Sequence, residues 1–416
     1  MSEKMQLDLS VSHKFLKPFE LQQVYLMLQL KQPKIEVAHE RSPINVSFVL
    51  DRSGSMAGEK LAYTKKAVAF ALEHLDSRDD VSIVTFDDQV DVLIPAQKAV
   101  HKDQLIQVLH SIRSGGCTNL SGGLFKGVSL VKEKFEKENI NRVLLLTDGL
   151  ANAGITDPAK LLEKVKEIYS RNISISTFGV GDHFQEDLLV DMAEAGGGNF
   201  YYISSPDTLP EIFNEELQGL LNVTGQNLEL AILPSEQVKV TGILGYEPKW
   251  GPETKINLPD IYSGDTKTIL IELTVSPQLI GKCSLGMVKF KYDDVLESLS
   301  TVNFNIDVSV EATNDPDMLN TGVDLKVVKE VEIFETARIK EEAMKQADAG
   351  NFPMASTLLN TQKDKLHNLY ASMQDSEVLE EINKLEANYQ IMESQNYTAA
   401  ARKEMKYTSH QTRRKR

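Results

Sequence analysis

Hydrophobic residues along the chain follow three patterns in succession, and each pattern predicts a different kind of structure. Over residues 5–36 apolar and polar positions alternate, first at Gln6–Val11 and again at 21–30. Such alternation is typical of strands with one buried face. Because two strands alone cannot bury enough surface to form a domain, we expect this segment to pair with strands later in the chain.

Between residues 44 and 222 apolar strands alternate with segments of helical spacing. The strands at 44–50 and 143–147 are apolar on both faces, as buried parallel strands are. Helices are predicted between the strands, at 57–76, 102–113, 120–138, 158–171, 185–195 and 206–221. This alternation predicts a doubly wound, mainly parallel, Rossmann-like α/β sheet whose strand-end loops lie on one rim.

From residue 226 to 311 the alternating pattern returns and predicts an antiparallel β-sandwich that also takes up the N-terminal strands. Its predicted strands are 228–233, 238–243, 268–275, 285–292 and 302–310. After residue 316 helical periodicity prevails, with helices predicted at 320–348, 353–372, 376–393 and 396–406. The predicted fold is therefore a multidomain α/β chain. Its parts are the N-terminal strands of the β-sandwich (1–40), an inserted α/β domain (42–222), the remaining β-sandwich (224–312), a helical bundle (318–408) and a basic tail (409–416).

The amino-acid composition and net charge of the chain argue against some classes of function. A hydrophobic content of 41% and a charged content of 25% are those of a globular protein, and a net charge of -15 argues against general nucleic-acid binding. Residues 402–416 are locally basic, with seven Lys or Arg against one Glu, and we expect a solvated, disordered end there. Cys117 and Cys283 offer no disulfide framework, the first residues lack the apolar core of a signal peptide, and no long apolar window occurs. We therefore expect a cytoplasmic protein without a membrane span.

Candidate chemistry lies where the strand 44–50 ends. Asp51, Ser53 and Ser55 follow that strand directly, and a glycine between the two serines permits the tight turn that would let their oxygens converge. Open α/β sheets bind ligands at such loops. Carboxylate and hydroxyl oxygens are hard ligands that suit Mg²⁺, with Mn²⁺ or Ca²⁺ as alternatives. Thr118 and Asp148, in two other glycine-containing loops, are the further donors that we expect at this site.

In these residues the chain resembles the von Willebrand factor type A family, over residues 42–222. The family's metal-ion-dependent adhesion site (MIDAS) has similar residues in the same order, which here are Asp51, Ser53, Ser55, Thr118 and the triplet Thr147-Asp148-Gly149. The resemblance implies that the two serines and Thr118 coordinate Mg²⁺ largely directly and that the two aspartates hold it largely through water. It also implies that a carboxylate of a partner protein supplies the last ligand.

The leading hypothesis is a non-enzymatic, metal-dependent protein-binding or scaffold protein whose partner presents Asp or Glu. Met56 and Leu150, which flank the acidic ligands, are expected to form an apolar rim. The alternative is a regulatory or substrate-presenting subunit of an ATPase complex of the MoxR or chelatase kind. Another chain would then hydrolyse the nucleotide, because this sequence has no Walker-type Gly-x-x-x-x-Gly-Lys-Ser/Thr. Metal-assisted hydrolysis, a third possibility, needs a general base, yet both carboxylates of the motif are committed to the ion.

Overall fold

The computed structural model describes residues 5–34, 42–149, 152–181, 184–203, 205, 208–297 and 300–414. Its internal contacts divide the chain into two compact units. The first, called here the sheet-and-helix unit, comprises Met1–Ile35, Asn227–Asp293 and Thr301–Arg416. The second, the α/β unit, comprises Glu36–Gln226 and Asp294–Ser300.

The elements follow one another in three groups. Three strands come first: β1 Gln6–Val11, β2 Phe15–Leu16 and β3 Gln22–Lys31. The next group alternates: β4 Ile44–Asp51, α1 Glu59–His74, β5 Asp80–Phe86, β6 Val90–Lys98, α2 Lys102–Leu109, α3 Leu120–Glu133, β7 Ile140–Thr147, α4 Pro158–Tyr169, β8 Ser174–Val180, α5 Glu186–Ala195, β9 Gly197–Ile203 and α6 Leu209–Leu221. The last group has strands and then helices: β10 Val223–Pro234, β11 Val238–Ile243, β12 Thr254–Leu258, β13 Ile261–Tyr262, β14 Thr266–Val275, β15 Gly281–Asp294, β16 Ser300–Ala312, α7 Pro316–Thr321, α8 Leu325–Asp348, α9 Phe352–Met373, α10 Ser376–Glu393 and α11 Ala399–Arg414.

The α/β unit is built on a six-stranded sheet in the order β6-β5-β4-β7-β8-β9. Its strands pair in parallel, except that β6 lies antiparallel to β5 at one edge. All residues of β4 and β7 are buried, and α3 packs against β4, β5 and β7. The predicted Rossmann-like α/β fold and the C-terminal helices are thus confirmed, and the sheet is mixed.

The register of this sheet decides where the candidate site lies. Strands β4 and β7 are parallel neighbours, with Leu50 opposite Leu146. Asp51 and Thr147 therefore end adjacent strands at the same edge of the sheet. Helix α3 begins close by, where the Asn119 side chain caps it by accepting a hydrogen bond from the amide of Gly122 (3.0 Å).

The sheet-and-helix unit contains two further sheets. One has four strands in the order β1-β3-β14-β11, and the other runs β12-β10-β15-β16-β2 with β13 paired to β10. Strand β3 pairs antiparallel with β14 over ten positions, from Gln22 opposite Val275 to Lys31 opposite Thr266. Apolar side chains from both sheets belong to one buried cluster. The N-terminal strands therefore complete a sheet whose other strands come from the second half of the chain.

Two features of this unit differ from the sequence-based expectation. Strands β12 and β13 were not predicted, because both are short and turn residues surround them. The expectation of a disordered basic end near the C-terminus is wrong up to Arg414, since α11 continues to that residue. Ser409 and His410 are fully buried, and Arg413 Nη2 lies 2.8 Å from Glu341 Oε1 on α8. Packing and ion pairing with α8 thus order a segment whose charge alone indicated a solvated tail.

Helices α8, α9 and α10 share an apolar core that includes Ala343, Leu359 and Ile382. A buried ion pair crosses this core, with Lys340 Nζ 2.9 Å from Glu381 Oε2. Neither side chain is more than 5% exposed. None of the helices in the described part of the chain combines the length and apolar character that a membrane span requires.

Candidate metal centre

Asp51 is the last residue of β4, and its carboxylate is buried. Thr147 Oγ1, at the end of β7, donates to Asp51 Oδ2 (2.5 Å), and the amide of Ser53 donates to Oδ1 (2.8 Å). Burial raises the pKa of Asp51, the hydrogen bonds from Thr147 and Ser53 lower it in part, and the charge of Asp148 raises it further. A cation beside such a carboxylate would favour its ionised form.

Ser53, Ser55 and Asp148 form a chain of hydrogen bonds. The Ser55 hydroxyl donates to Asp148 Oδ1 (2.7 Å) and lies 3.1 Å from the Ser53 hydroxyl. Since Ser55 has one hydroxyl proton, Ser53 is the donor in the second contact. A short turn of 3-10 helix, Gly54–Met56, folds the chain so that the Ser55 hydroxyl reaches the buried Asp148 carboxylate and the Ser53 hydroxyl reaches that of Ser55.

Lys60 adds a positive charge to this cluster. It lies in the first turn of α1, and its Nζ is 2.5 Å from Asp148 Oδ2. The Lys60 side chain is 24% exposed, whereas that of Asp148 is fully buried. The sequence motif did not include this residue. The available signal was a lysine in the first turn of the helix that follows the motif, where the helix dipole disfavours a cation.

Thr118 reaches the site from the loop that precedes α3. Two backbone hydrogen bonds join this loop to the Asp51 loop. The amide of Gly115 donates to the carbonyl oxygen of Arg52 (2.7 Å), and the amide of Gly54 donates to that of Gly116 (3.0 Å). Thr118 itself is buried. Main-chain hydrogen bonds alone therefore hold the two loops together.

The side chain of Arg52 forms ion pairs that also stabilise the contact between the Asp51 loop and the loop before α3. Its Nη2 lies 2.7 Å from Asp91 Oδ2, and its Nε lies 3.3 Å from Asp87 Oδ2. The carbonyl oxygen of Asp87 in turn accepts a hydrogen bond from the amide of Asn119 (2.8 Å). Arg52 thus links the Asp51 loop to the residues that position Thr118.

Gly149 allows Thr118 and Asp51 to approach each other. A Cβ atom at Gly149 would lie 2.9 Å from Thr118 Oγ1 and 3.2 Å from Asp51 Oδ2, closer than ordinary van der Waals contact. The amide of Thr118 also donates to Asn152 Oδ1 (2.7 Å), in the loop that Gly149 begins. The Thr118 hydroxyl and the Asp51 carboxylate therefore both lie next to Gly149.

The five residues that the sequence predicts as metal ligands thus lie in one cluster at the edge of the sheet. Each of them offers only oxygen atoms as side-chain ligands. Such a set fits a hard cation such as Mg²⁺. Within the described ranges no group of three or more His, Cys, Asp and Glu residues is arranged to hold a metal. Any cation at this cluster would therefore depend on its hydroxyl groups as well as its two carboxylates.

The apolar rim expected from Met56 and Leu150 is wrong for Met56, whose side chain is fully buried under the turn. Leu150 lies outside the described residues. A methionine beside a polar motif can instead pack inside the turn, and the burial of Met56 indicates that role here.

Comparison with known proteins matches this part of the chain to one family model. Residues 45–215 match the family model of the von Willebrand factor type A domain. Uncharacterized protein YfbK of Escherichia coli K12 is 29% identical over 260 residues, which are 61% of this chain and 45% of that protein. Uncharacterized protein sll0103 of Synechocystis is 25% identical over 354 residues, 80% of this chain and 82% of that protein. The chain thus spans under half the length of the E. coli relative.

A solved structure extends the likeness beyond this domain. The von Willebrand factor type A protein from Catenulispora acidiphila has a similar fold, with a TM-score of 0.75 at 17% sequence identity. The likeness covers 92% of this chain and 90% of that one. Identity this low shows the fold alone. Together, the family-model match and the shared fold support a von Willebrand factor type A domain within residues 45–215 of this chain.

Proposed function

We propose that this protein is a non-enzymatic scaffold that binds a partner protein through a divalent cation. Von Willebrand factor type A domains are typically protein-interaction or adhesion scaffolds. The observation that carries the proposal is the convergence of five oxygen-bearing side chains on one sheet edge: Asp51, Ser53, Ser55, Thr118 and Asp148. Oxygen-only sites of this kind suit Mg²⁺, and Mn²⁺ or Ca²⁺ could use the same donors.

The proposed roles of the side chains follow the MIDAS pattern. Ser53, Ser55 and Thr118 would hold the ion directly, whereas Asp51 and Asp148 would hold it through water. When bound, the ion would supply a concentrated positive charge that attracts a further oxygen ligand. Thr147 keeps the Asp51 carboxylate oriented through its 2.5 Å hydrogen bond.

Charge favours a carboxylate as the partner's ligand. Asp51 and Asp148 contribute two negative charges, and Lys60, paired with Asp148, contributes one positive charge. A divalent cation would therefore leave one net positive charge in a largely buried cluster. A charge-assisted contact in such a site is stronger than an exposed ion pair, so one Asp or Glu of a partner could anchor the complex.

We also infer that the two sheets of the sheet-and-helix unit form a β-sandwich that is interrupted in sequence by the α/β domain at 42–222. The buried cluster shared by the two sheets supports the sandwich. Both cysteines are free thiols, which fits the proposed cytoplasmic location, since that compartment keeps thiols reduced.

The experiment is a pull-down from native cell extract with the wild-type chain, Thr118→Ala and the matched control Ser129→Ala, each in Mg²⁺ and in EDTA. Ser129 is exposed on α3, so its hydroxyl can be removed without touching the cluster. We expect a partner that wild type and Ser129→Ala retain only in Mg²⁺ and that Thr118→Ala does not retain. Replacing the contacting Asp or Glu of that partner by Asn or Gln should then abolish retention.

The same set of retained proteins in every sample would contradict metal-dependent binding. A nucleotide-hydrolysing partner, retained whether or not Mg²⁺ is present, would favour the alternative function as a subunit of an ATPase complex.

A further inference from the structure

Four large apolar side chains are exposed on two neighbouring loops of the sheet-and-helix unit. Phe19 and Leu21, between β2 and β3, are 65% and 68% exposed, and Leu279 and Ile280, between β14 and β15, are 76% and 61% exposed. The amide of Phe19 donates to the carbonyl oxygen of Gln278 (2.9 Å). The two loops therefore lie side by side, and these four side chains are called the loop patch below.

Phe19 has an unusual backbone conformation for an aromatic residue. Its φ is +63°, in the left-handed region where Gly and Asn are favoured and other side chains are strained. Its high exposure means that burial within the chain does little to offset that strain. Folding alone would favour Gly or Asn there, so a contact outside the folded chain accounts best for the phenylalanine.

Hydrogen bonds hold both loops in shape. The Gln22 side chain accepts from the amide of Lys17 (3.0 Å) and donates to the carbonyl oxygen of the same residue (2.7 Å). In the second loop Gln278 Nε2 donates to the carbonyl oxygen of Ser276 (2.8 Å). The apolar side chains are thus presented by ordered loops, which lowers the entropic cost of binding.

Charge indicates what the loop patch contacts. Lys17 and Lys282 flank it and are exposed, and neither forms an ion pair with any described carboxylate. Glu20 is the single acidic residue in 17–21 and 276–282, although the whole chain has a net charge of -15. Protruding apolar side chains with flanking lysines match a lipid interface, where apolar groups enter the acyl boundary and lysines extend to anionic headgroups.

We propose that the loop patch docks the protein on an anionic lipid bilayer. Phe19, Leu21, Leu279 and Ile280 enter the interface, and Lys17 and Lys282 contact the negatively charged headgroups. A surface of this kind needs no membrane-spanning segment. It also uses none of the metal-centre residues, so its test can be made in EDTA and is independent of the proposed function.

The test is co-sedimentation of the full chain with vesicles of phosphatidylcholine alone or of phosphatidylcholine mixed with phosphatidylserine. We compare wild type with the double variant Leu279→Ser/Ile280→Ser and with Phe19→Asn, whose new residue suits the positive φ. The matched control is Val100→Ser, which removes a 55% exposed apolar side chain from a loop of the α/β unit. Thermal melts of all variants show that the fold is retained.

We expect wild type and Val100→Ser to bind the phosphatidylserine vesicles more tightly than the neutral ones. Binding should fall at least about tenfold in Leu279→Ser/Ile280→Ser, because two aliphatic side chains that enter the bilayer are lost. Phe19→Asn should also bind more weakly while melting at an equal or higher temperature. Lys17→Glu/Lys282→Glu should remove the preference for phosphatidylserine, as should high salt.

Three results would overturn the proposal. The first is failure of wild type to bind either kind of vesicle. The second is equal binding by wild type and Leu279→Ser/Ile280→Ser. The third is an oligomer of wild type that becomes monomeric in that double variant without any vesicle binding, which would make the loop patch an interface between copies of this chain.

Discussion

Lys60 Nζ lies 2.5 Å from Asp148 Oδ2, so one of the two carboxylates in the candidate metal centre has a cationic partner within the chain. Asp51 accepts hydrogen bonds from neutral donors, among them the Thr147 hydroxyl and the Ser53 amide. The two carboxylates therefore differ in electrostatic environment although both are buried. The negative charge that a bound cation would chiefly balance is that of Asp51.

Lys60→Met tests this balance. Without the ammonium group Asp148 is a buried carboxylate with no cationic partner, and we expect the metal-free protein to lose about 1–3 kcal/mol of stability. A divalent cation would then restore more stability in the variant than in wild type. Thermal melts with and without Mg²⁺ measure both effects, and Lys66→Met, at an exposed position of α1, is the control. The same Mg²⁺ shift in Lys60→Met and Lys66→Met would show that Lys60 does not act on the site.

Thr147 provides a second test, because its hydroxyl donates to Asp51 and accepts from the amide of Gly149 (3.1 Å). Thr147→Val keeps the shape of the side chain but removes both hydrogen bonds. Partners that orient a metal ligand typically contribute about 10–100-fold in affinity, and we expect a Mg²⁺ affinity lower by that order. Thr147→Ser retains the hydroxyl and should bind Mg²⁺ as wild type does. Calorimetric titration compares the three proteins, and equal affinities for Val and Ser would contradict this role.

Gly149→Ala tests the close approach of two loops. The added methyl group would lie 2.9 Å from Thr118 Oγ1, so Thr118 must move away from the cluster. We expect loss of the Mg²⁺-dependent rise in melting temperature, with little change in circular dichroism. Gly251→Ala is the matched control, since its Cβ would lie 3.5 Å from its nearest neighbour, the carbonyl oxygen of Glu253. A normal Mg²⁺ response in Gly149→Ala would mean that Thr118 does not need its present position.

The buried pair of Lys340 and Glu381 gives a pH-dependent prediction. Burial alone would raise the pKa of Glu381, but the charges and hydrogen bonds of Lys340 and Lys384 more than offset it, so the pKa lies below its ordinary value. A lowered folded-state pKa contributes stability above the unfolded pKa, about 4.3 for Glu, and that contribution is lost as the pH falls through the folded pKa.

Glu381→Gln should therefore cost about 3–5 kcal/mol at neutral pH, because Lys340 is left buried without its partner. The difference from wild type should shrink as the pH is lowered below about 4.3. Urea unfolding over a pH series measures it, and Lys340→Met/Glu381→Leu should recover most of the loss. A difference that stays constant through the acid range would contradict the assigned pKa direction.

Strand-end residues were the part of the site that sequence could predict. An apolar strand that stops at Asp51, and another that stops just before Asp148, places both residues at one sheet edge once the strands are parallel neighbours. Lys60 could not be found this way. Its contact with Asp148 depends on how α1 packs after the turn at Gly54–Met56, and side-chain periodicity says nothing about that packing.

The fold likewise has elements that the sequence could predict and elements that it could not. Long periodic segments such as α9 and β14 were predicted nearly to their ends, because their burial pattern repeats over many residues. The short strand β12 was missed, since five residues between turns carry little periodic signal. Helix α11 was expected to end earlier because Arg413 and its basic neighbours suggest solvation, whereas pairing of Arg413 with Glu341 depends on a helix far away in sequence.

A calorimetric titration of the metal-free chain with Mg²⁺, comparing wild type, Ser53→Ala and the control Ser129→Ala, tests whether the cluster binds a cation. We expect one saturable site in wild type and Ser129→Ala, and binding at least about tenfold weaker in Ser53→Ala, which loses a direct oxygen ligand. Equal binding by all three proteins, or none by wild type with Mg²⁺, Mn²⁺ and Ca²⁺ alike, would contradict a cation site at Asp51, Ser53, Ser55, Thr118 and Asp148.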